Sequence, residues 1–271
     1  MNAADWAATL EGYRGGDAYA ERPGNRTRYY DDNAWIALAA IDLDDRKGGP
    51  WRDTAARVLG FLREGEREVQ SDQTGVLWVE GGRSLNACST GSTGLVALRL
   101  ACDASSSDRA KLVEFAERCL RFLTGTLRGA DALVCDHRDE HGNVDPAEFT
   151  YNQGLAIGLH VGLADLGHVS ELRLAQELAG RTLDAFEGER LWTHPPAFNA
   201  ILFRELLALY AVDGDRRWPS AVDAYMDRVW LEARDPETGL FTAGGIGRYD
   251  SDVALDQAGL VQLFALRSRE N

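Results

Sequence analysis

The chain has 271 residues, a formal net charge of −14 and 45% apolar residues, a composition typical of a globular protein. The negative charge disfavours nucleic acids and anionic substrates, because binding to phosphate groups requires lysine and arginine. The sequence contains no run of about 18 apolar residues, which is the length needed to span a bilayer. The opening segment MNAADWAATL lacks the features of a secretory signal. The sequence as it stands favours the cytoplasm.

The cysteines are widely spaced, without a C-x-x-C pair: Cys88, Cys102, Cys119 and Cys135. Such spacing does not predict a zinc or redox site. The preference of cysteine for buried positions favours reduced thiols, although two disulfides in any of three connectivities stay open. We expect neither a metal nor a cofactor.

Apolar residues recur at spacings of three and four along most of the chain, which predicts helices. Ten segments show this period: 3–12, 29–43, 51–68, 87–102, 107–126, 149–167, 171–185, 197–211, 217–231 and 251–268. Strand-like alternation is confined to short pieces such as Val76–Val79 and Ala132–Val134, which predict small ribbons in loops.

The predicted helices are of two kinds that alternate along the chain. Some, such as 87–102, carry few charges, whereas others, such as 107–126, have charges along one face. A helix that is apolar all round is buried, and an amphipathic helix lies outside it. The alternation predicts an all-α fold, an (α/α)6 toroid or barrel, as one domain over 1–271. A complete toroid needs twelve helices, so the ring is expected to be incomplete at the N-terminus or closed by a short first hairpin.

The loops alternate as well. Each long loop leads from an outer helix to an inner one: 69–86, 127–148, 186–196 and 232–250. Long loops often carry function. The sequence therefore predicts a site at the rim where the inner helices begin.

Two adjacent acids, Asp31 and Asp32, begin the first inner helix. Free N–H groups and the helix dipole favour negative charge at this position. Two close carboxylates resist double ionisation, so one can hold a proton near neutral pH. An ionised nucleophile beside a protonated acid is what a retaining glycosidase requires. The alternative is an Asp N-cap followed by an acidic first-turn residue, and the pair Asp44–Asp45 at the other helix end is explained by the surface alone.

The chain contains the motifs Tyr30–Trp35 (YDDNAW), Asn86–Ala87 before a helix, Thr150–Gly154 (TYNQG) and Phe198–Arg204 (FNAILFR). Together these motifs resemble glycoside hydrolase family 76, the endo-α-1,6-mannanases and their relatives. The resemblance implies an (α/α)6 barrel, Asp31 as nucleophile, Asp32 as general acid/base, no metal, and an α-mannoside, foremost α-1,6-linked, as substrate. Family members have more chain before the acidic pair, so this one is expected to be N-terminally shortened. The resemblance also favours an extracytoplasmic role.

An oligosaccharide or polysaccharide is the expected partner. Amide side chains can hydrogen-bond sugar hydroxyls, and aromatic rings can stack on a pyranose face. The residues predicted to contact the substrate are Tyr30, Asn33, Trp35, Asp72, Trp78, Asn86, Asp136, Tyr151, Asn152 and Gln153.

Two other functions compete with hydrolysis. One is a sugar epimerase or isomerase on the same toroid, with His141 or His194 as the acid/base. The other is a glycan-binding protein without catalytic activity.

Overall fold

The computed structural model describes residues 3–241 and 254–267. The chain divides into two compact units, each described by itself below. Unit 1 contains residues 1–128 and 135–147, and unit 2 contains residues 129–134 and 148–271. The single domain expected from the sequence stays a prediction.

Unit 1 contains five helices: α1 (Ala3–Glu11), α2 (Tyr30–Lys47), α3 (Trp51–Glu64), α4 (Ala87–Ala101) and α5 (Ser106–Arg121). Helix α4 is buried from Ala87 to Leu98, as expected for a helix whose residues are small or apolar on every side. Helices α3 and α5 bury one face each, and α2 packs against both α3 and α4. The predicted order of inner and outer helices therefore holds within this unit.

Short antiparallel ribbons connect the helices of unit 1. They are β1 (Arg14–Gly15) with β2 (Ala18–Tyr19), β3 (Glu66–Gln70) with β4 (Gln73–Val76), and the sheet β5 (Leu85–Asn86), β6 (Cys135–Arg138) and β7 (Val144–Glu148), whose last residue belongs to unit 2. Strand β5 leads directly into α4. These ribbons fix the loop ends immediately before the inner helices.

Unit 2 contains α6 (Thr150–Asp165), α7 (Ser170–Ala185), the short α8 (Glu189–Trp192), α9 (Pro196–Asp213), α10 (Arg217–Arg228) and α11 (Ala254–Arg267). Helix α9 packs against both α6 and α11. Glycines allow this close packing: a Cβ on Gly154 would lie 2.7 Å from the Cα of Leu202, and one on Gly259 would lie 2.9 Å from the Cα of Ala197. Small residues thus bring the backbones of α6, α9 and α11 together.

The helix predictions are correct in position and differ mainly at their ends. The segment 51–68 does not stay helical: α3 ends at Glu64 and strand β3 begins at Glu66. The last turns of 107–126 and 217–231 are π-helical, over Phe122–Thr126 and Val229–Ala233. The short helix α8 has no counterpart among the predicted segments. Residues 251–253 and 268 of the last predicted helix lie outside the described residues.

The predicted strand Ala132–Val134 is only partly correct: Ala132 has a φ of 68° and lies in a turn, whereas Val134 is a bridge residue. The ribbon begins at Cys135 instead. All four cysteines are free thiols, with Cys88, Cys119 and Cys135 buried and Cys102 exposed. None of the helices in the described part of the chain combines the length and apolar character needed to cross a membrane.

The close approach of α6 and α9 gives a stability prediction. Gly154→Ala places a methyl group against the backbone of Leu202, so we expect a loss of about 1–3 kcal/mol in the free energy of unfolding. Gly180→Ala in α7 is the matched control, since a Cβ there meets nothing within 4 Å, and it should stabilise the protein by about 0.5–1 kcal/mol. Chemical denaturation measures both. Equal effects of the two substitutions would contradict the packing argument.

Candidate active site

The first turn of α2 is fixed by the residues on either side of the acidic pair. Tyr30 is 3% exposed, its ring stacks on Phe61 at 4.7 Å, and its backbone N–H donates to the carbonyl of Trp78 at 2.9 Å. Its neighbours Asp31 and Asp32 are therefore presented on a different side of the helix, because successive helical residues point about 100° apart. Asp31 is partly buried and Asp32 is exposed.

Asn33 anchors the segment that precedes the helix. Its Oδ1 accepts from the backbone N–H of Tyr19 at 2.8 Å, and its Nδ2 donates to the carbonyls of Tyr19 and Tyr29 at 2.9 and 2.8 Å. The side chain is completely buried, as a buried amide can be when its donors and acceptor are satisfied. We therefore assign Asn33 and the equally buried Tyr30 to positioning the helix start, and correct the predicted sugar contacts of both.

The cap interpretation of the acidic pair does not hold. The N-cap of α2 is Tyr29, which makes no side-chain capping hydrogen bond, so the two acids occupy the second and third positions of the helix. Asp44 and Asp45 at the other end are ion-paired with Arg52, and Asp45 also with Arg99. The pairs therefore differ in environment, and Asp31–Asp32 is the one placed among acids, a thiol and aromatic rings.

The two acids also differ in electrostatics. Although Asp32 is exposed in part, the protein atoms around its carboxyl displace water from it and raise its pKa to about 6, and the nearby carboxylates of Asp31 and Glu21 add to this effect. Burial also raises the pKa of Asp31, but a hydrogen bond from the Trp78 indole opposes the rise. The geometry gives Asp31 one side-chain donor, the Trp78 indole on Oδ2, while its buried Oδ1 has no hydrogen-bond partner among the described residues. Asp32 is the carboxyl that holds a proton up to about pH 6.

An aromatic pair borders Asp31. The indole Nε1 of Trp78 donates to Asp31 Oδ2 at 3.3 Å, and the rings of Trp78 and Tyr29 lie 5.0 Å apart. Trp78 is 43% exposed, so part of its ring remains open beside the carboxylate. Trp35 follows Asp31 by one helical turn, which places it on the same face of α2, and it is partly buried.

The start of α4 supplies a second group of polar residues. Asn86 is the N-cap of α4, and its Oδ1 accepts from the Ser84 hydroxyl at 2.7 Å. Asn86 lies opposite His137 in the ribbon of β5 and β6, and Asp136 hydrogen-bonds the His137 ring at 2.9 Å. The charges of Asp31 and Asp136 both act on Cys88 in the first turn of α4. The ribbon therefore brings Asp136 to the same cluster as Asp31.

Asp72 is not part of this cluster. It lies in the turn between β3 and β4, is exposed, and pairs with Arg121 of the outer helix α5 at 3.6 Å. Five residues, 73–77, separate it from Trp78, and its ion pair places it beside the outer helix α5.

Unit 2 carries the remaining predicted residues, at the start of α6. Gln153 is completely buried: its Oε1 accepts from the Val134 N–H, and its Nε2 donates to the Val134 and Phe149 carbonyls. We assign Gln153 to holding the preceding loop, which corrects its predicted sugar contact. Asn152 is also completely buried, whereas Tyr151 is partly exposed.

The ring of Tyr151 belongs to an aromatic group. It stacks on Phe149 at 5.6 Å and meets Phe198 edge-on at 4.3 Å. His194 is 7% exposed and lies edge-on to Phe149 and Phe186, and burial lowers its pKa to about 4. Such a histidine stays neutral over the physiological range.

Sequence reasoning missed three residues near the acidic pair: Glu21, Tyr29 and Cys88. Tyr29 could have been found from its place just before the helix. Glu21 and Cys88 carry no local signal, because their proximity to Asp32 and Asp31 arises from the packing of the N-terminal segment and of α4 against α2.

Comparison with known proteins identifies the relatives of this chain. A family model described as glycosyl hydrolase family 76 matches residues 8–193. The meiotically up-regulated gene 191 protein of Schizosaccharomyces pombe is 29% identical over 161 residues, which are 52% of this chain and 36% of that protein. The match thus spans about a third of the curated relative.

Solved structures share the fold. A family 76 mannosidase from Bacteroides thetaiotaomicron has a TM-score of 0.80 at 23% identity, covering 94% of this chain and 75% of that one. An inactive variant of a Salegentibacter α-1,6-mannanase, with two consecutive aspartates replaced by alanine and an α-1,6-linked mannotetraose bound, has a TM-score of 0.71 at 22% identity and covers 88% of this chain and 76% of that one.

A D-mannose isomerase also matches, with a TM-score of 0.67 at 9% identity, covering 95% of this chain and 78% of that one. At these identities the likeness shows the fold alone. The predicted fold class, the all-α (α/α)6 toroid of family 76, is confirmed.

The raised pKa of Asp32 predicts a dependence of stability on pH. A carboxyl whose folded pKa of about 6 exceeds its reference value of 3.8 destabilises the fold as pH rises through that interval. Asp32→Asn should therefore raise the melting temperature at pH 7.5, and the gain should vanish towards pH 4. Thermal unfolding across this range measures the difference.

Asp53→Asn is the control for this test, because Asp53 is an exposed acid in the first turn of α3. The control should show no comparable gain at pH 7.5. A gain in Asp32→Asn that stays the same at pH 4 would contradict the electrostatic cause.

Proposed function

We propose that this chain, which belongs to glycosyl hydrolase family 76, is a retaining glycoside hydrolase that cleaves α-mannosidic linkages, foremost α-1,6. The observation that carries the proposal is the pair of adjacent carboxyls on the first turn of α2, one that accepts a hydrogen bond from the Trp78 indole and the other with a pKa of about 6. Retaining glycosidases need one ionised and one protonated carboxyl close together.

In this mechanism Asp31 is the nucleophile. Its carboxylate attacks the anomeric carbon on the face opposite the departing oxygen, forming an ester with the sugar while the glycosidic C–O bond breaks. The Trp78 indole, 3.3 Å from Asp31 Oδ2, orients the carboxylate. Hydrogen bonds to a charged carboxylate favour its ionised form, as a nucleophile requires.

Asp32 is the general acid and then the general base. It gives its proton to the leaving oxygen, and its carboxylate then takes a proton from water, which attacks the anomeric carbon and releases Asp31. Two inversions leave the configuration retained, and the net reaction consumes one water for each bond cleaved. The exposure of Asp32 suits both steps, since leaving group and water approach from solvent.

Substrate contacts are proposed for the polar and aromatic residues at the starts of the inner helices. In unit 1 the exposed Trp78 ring suits stacking on a sugar, and Asn86 and Asp136 suit hydrogen bonds to hydroxyls. Trp35 in unit 1 and Tyr151 and Asn152 in unit 2 stay predicted contacts, whereas the ion pair of Asp72 with Arg121 leaves Asp72 outside the proposed contacts. A neutral oligosaccharide also avoids repulsion by the chain's net charge of −14.

The mannan substrate rests on the relatives. The Salegentibacter enzyme is named an α-1,6-mannanase, and replacing two consecutive aspartates inactivates it. This chain has two such pairs, and the ion pairs of Asp44 and Asp45 with Arg52 favour Asp31–Asp32 as the equivalent.

The histidines give the isomerase alternative little support. His141 is highly exposed and lies beside Glu140 at 3.6 Å. His194 is buried among phenylalanine rings and has a pKa of about 4, too low for a base that works near neutral pH. Incorporation of solvent deuterium into free mannose without glycosidic cleavage would favour the isomerase.

Replacing the acids tests the mechanism. Asp31→Asn and Asp32→Asn should each reduce hydrolysis of α-1,6-mannan by at least about 10³-fold. On an α-mannoside with a dinitrophenyl leaving group, which departs without a proton, Asp32→Asn should still release a burst of the phenol and Asp31→Asn should not. Reducing-sugar assays and stopped-flow absorbance measure the two reactions.

Asp45→Asn is the control within the second acidic pair, and it should keep full activity even if its lost ion pairs lower stability. Retained mannan hydrolysis in either Asp31→Asn or Asp32→Asn would contradict the assigned roles. Saturable binding of mannotetraose by a wild type that shows no turnover would favour the glycan-binding alternative.

The pH dependence of activity follows from the same pair. The acid form of Asp32 is required, so kcat/KM should fall as pH rises above about 6, and it should fall at lower pH as Asp31 becomes protonated. Initial rates at low substrate concentration between pH 3 and 9 give the profile. A kcat/KM that stays constant between pH 5 and 8 would contradict the prediction.

A further inference from the structure

The ribbon that leads into α4 carries a pair of side chains that the proposed mechanism does not yet use. His137 follows Asp136 in β6, and its ring Nδ1 lies 2.9 Å from Asp136 Oδ2. Both side chains are half-buried. The carboxyl is therefore still accessible to a ligand, while the hydrogen bond restricts its movement.

The direction of this hydrogen bond follows from the chemistry of the two groups. A carboxylate can only accept, so the hydrogen of the bond belongs to the imidazole Nδ1. A neutral imidazole carries a single N–H, and the bond therefore selects the tautomer that has its hydrogen on Nδ1. The His137 ring thus holds Oδ2 of Asp136 and limits the rotation of the carboxyl.

Backbone hydrogen bonds connect this pair to the first turn of α2 within unit 1. The N–H of Tyr30 donates to the carbonyl of Trp78 at 2.9 Å, and the N–H of Trp78 donates to the carbonyl of Ser84 at 3.3 Å. Asn86, two residues after Ser84, lies opposite His137 in the ribbon of β5 and β6. Three strand spacings amount to about 15 Å, so an oligosaccharide that occupies the acidic pair can extend to this ribbon.

The turn after β6 holds a second acid–histidine pair, Glu140–His141, which serves as an internal comparison. The nearest nitrogen and oxygen of this pair are 3.6 Å apart, too far for a hydrogen bond. The side chain of His141 is 74% exposed, against 28% for His137, and Glu140 is instead ion-paired with Arg83 at 2.6 Å. Of the two pairs, Asp136–His137 is therefore the one in which the ring fixes the carboxyl.

We infer that His137 is a positioning residue for Asp136, because its ring holds the carboxyl in the orientation in which Asp136 hydrogen-bonds a hydroxyl of the mannoside. A carboxylate that is already oriented loses less conformational freedom on binding, so the ring should strengthen binding. The sugar contact rests on the proposed function, whereas the hydrogen bond between the two side chains does not. His137 therefore belongs to substrate recognition and not to proton transfer.

Binding of α-1,6-linked mannotetraose tests this role, measured by calorimetry in an Asp31→Asn background that does not turn the ligand over. His137→Phe keeps a ring without a donor and should weaken binding about tenfold, the equivalent of one hydrogen bond to a charged group. His137→Asn should stay within about threefold of the parent, because its amide nitrogen can donate from the place of Nδ1. His137→Leu replaces His137→Phe if the larger ring prevents folding.

The matched control is His141→Phe, which should leave the affinity unchanged. In the protein with Asp31 intact, His137→Phe should raise KM about tenfold and change kcat by less than about threefold, because a binding carboxylate acts on the ground state and the transition state alike. A purely structural role of His137 would lower stability without this separation of KM from kcat.

A double-mutant cycle shows whether the ring acts through the carboxyl. Asp136→Ala should weaken binding at least as much as His137→Phe does, and the two substitutions together should cause no further loss. Additive losses would overturn the inference. So would a loss of affinity in His141→Phe equal to that in His137→Phe.

NMR of ¹⁵N-labelled histidine rings gives a result that needs no ligand, with the His137 signals assigned from His137→Asn. At pH 8 the His137 ring should be the Nδ1–H tautomer in the wild type and should lose this preference in Asp136→Ala. An Nε2–H tautomer in the wild type would overturn the inference. The expected tautomer in a protein that neither binds nor hydrolyses α-1,6-mannosides would instead overturn the proposed function, and with it the sugar contact, and leave the hydrogen bond established.

Discussion

The anchoring of the first turn of α2 is the constraint on which the candidate site depends. Tyr30 is packed against Phe61, its N–H is bound to the carbonyl of Trp78, and the Asn33 amide holds the backbone at Tyr19 and Tyr29. With its flanking residues fixed in this way, the turn holds Asp31 partly buried and Asp32 at the surface beside it. Both carboxyls stay in an environment that raises their pKa, at a cost to the stability of the folded state.

A buried amide also anchors the start of an inner helix in unit 2. At the start of α6, Gln153 uses its amide to hold the loop residues Val134 and Phe149, as Asn33 does before α2. A buried amide suits this task because it satisfies both a backbone N–H and a backbone carbonyl. An amide side chain in the first turn thus connects each of α2 and α6 to the segment before it.

The two acids of the pair differ chemically because their electrostatic surroundings differ. Two adjacent aspartates would be equivalent in water, but here Asp31 accepts a hydrogen bond from Trp78 whereas Asp32 faces the charges of Asp31 and Glu21. The difference comes from elements distant in sequence: the loop after β4 and the N-terminal segment. A nucleophile and an acid can therefore arise from identical residues.

The sequence by itself determined the helical class, the order of inner and outer helices and the acidic pair itself, because these depend on local periodicity and on a short motif. Only the tertiary structure decided that Asn33 and Gln153 hold backbone, that Asp72 pairs with Arg121, and that the Trp78 indole donates to Asp31. A polar side chain at a helix start looks the same in sequence whether it faces a substrate or a buried carbonyl. Its partner, which lies far along the chain, is brought to it by packing.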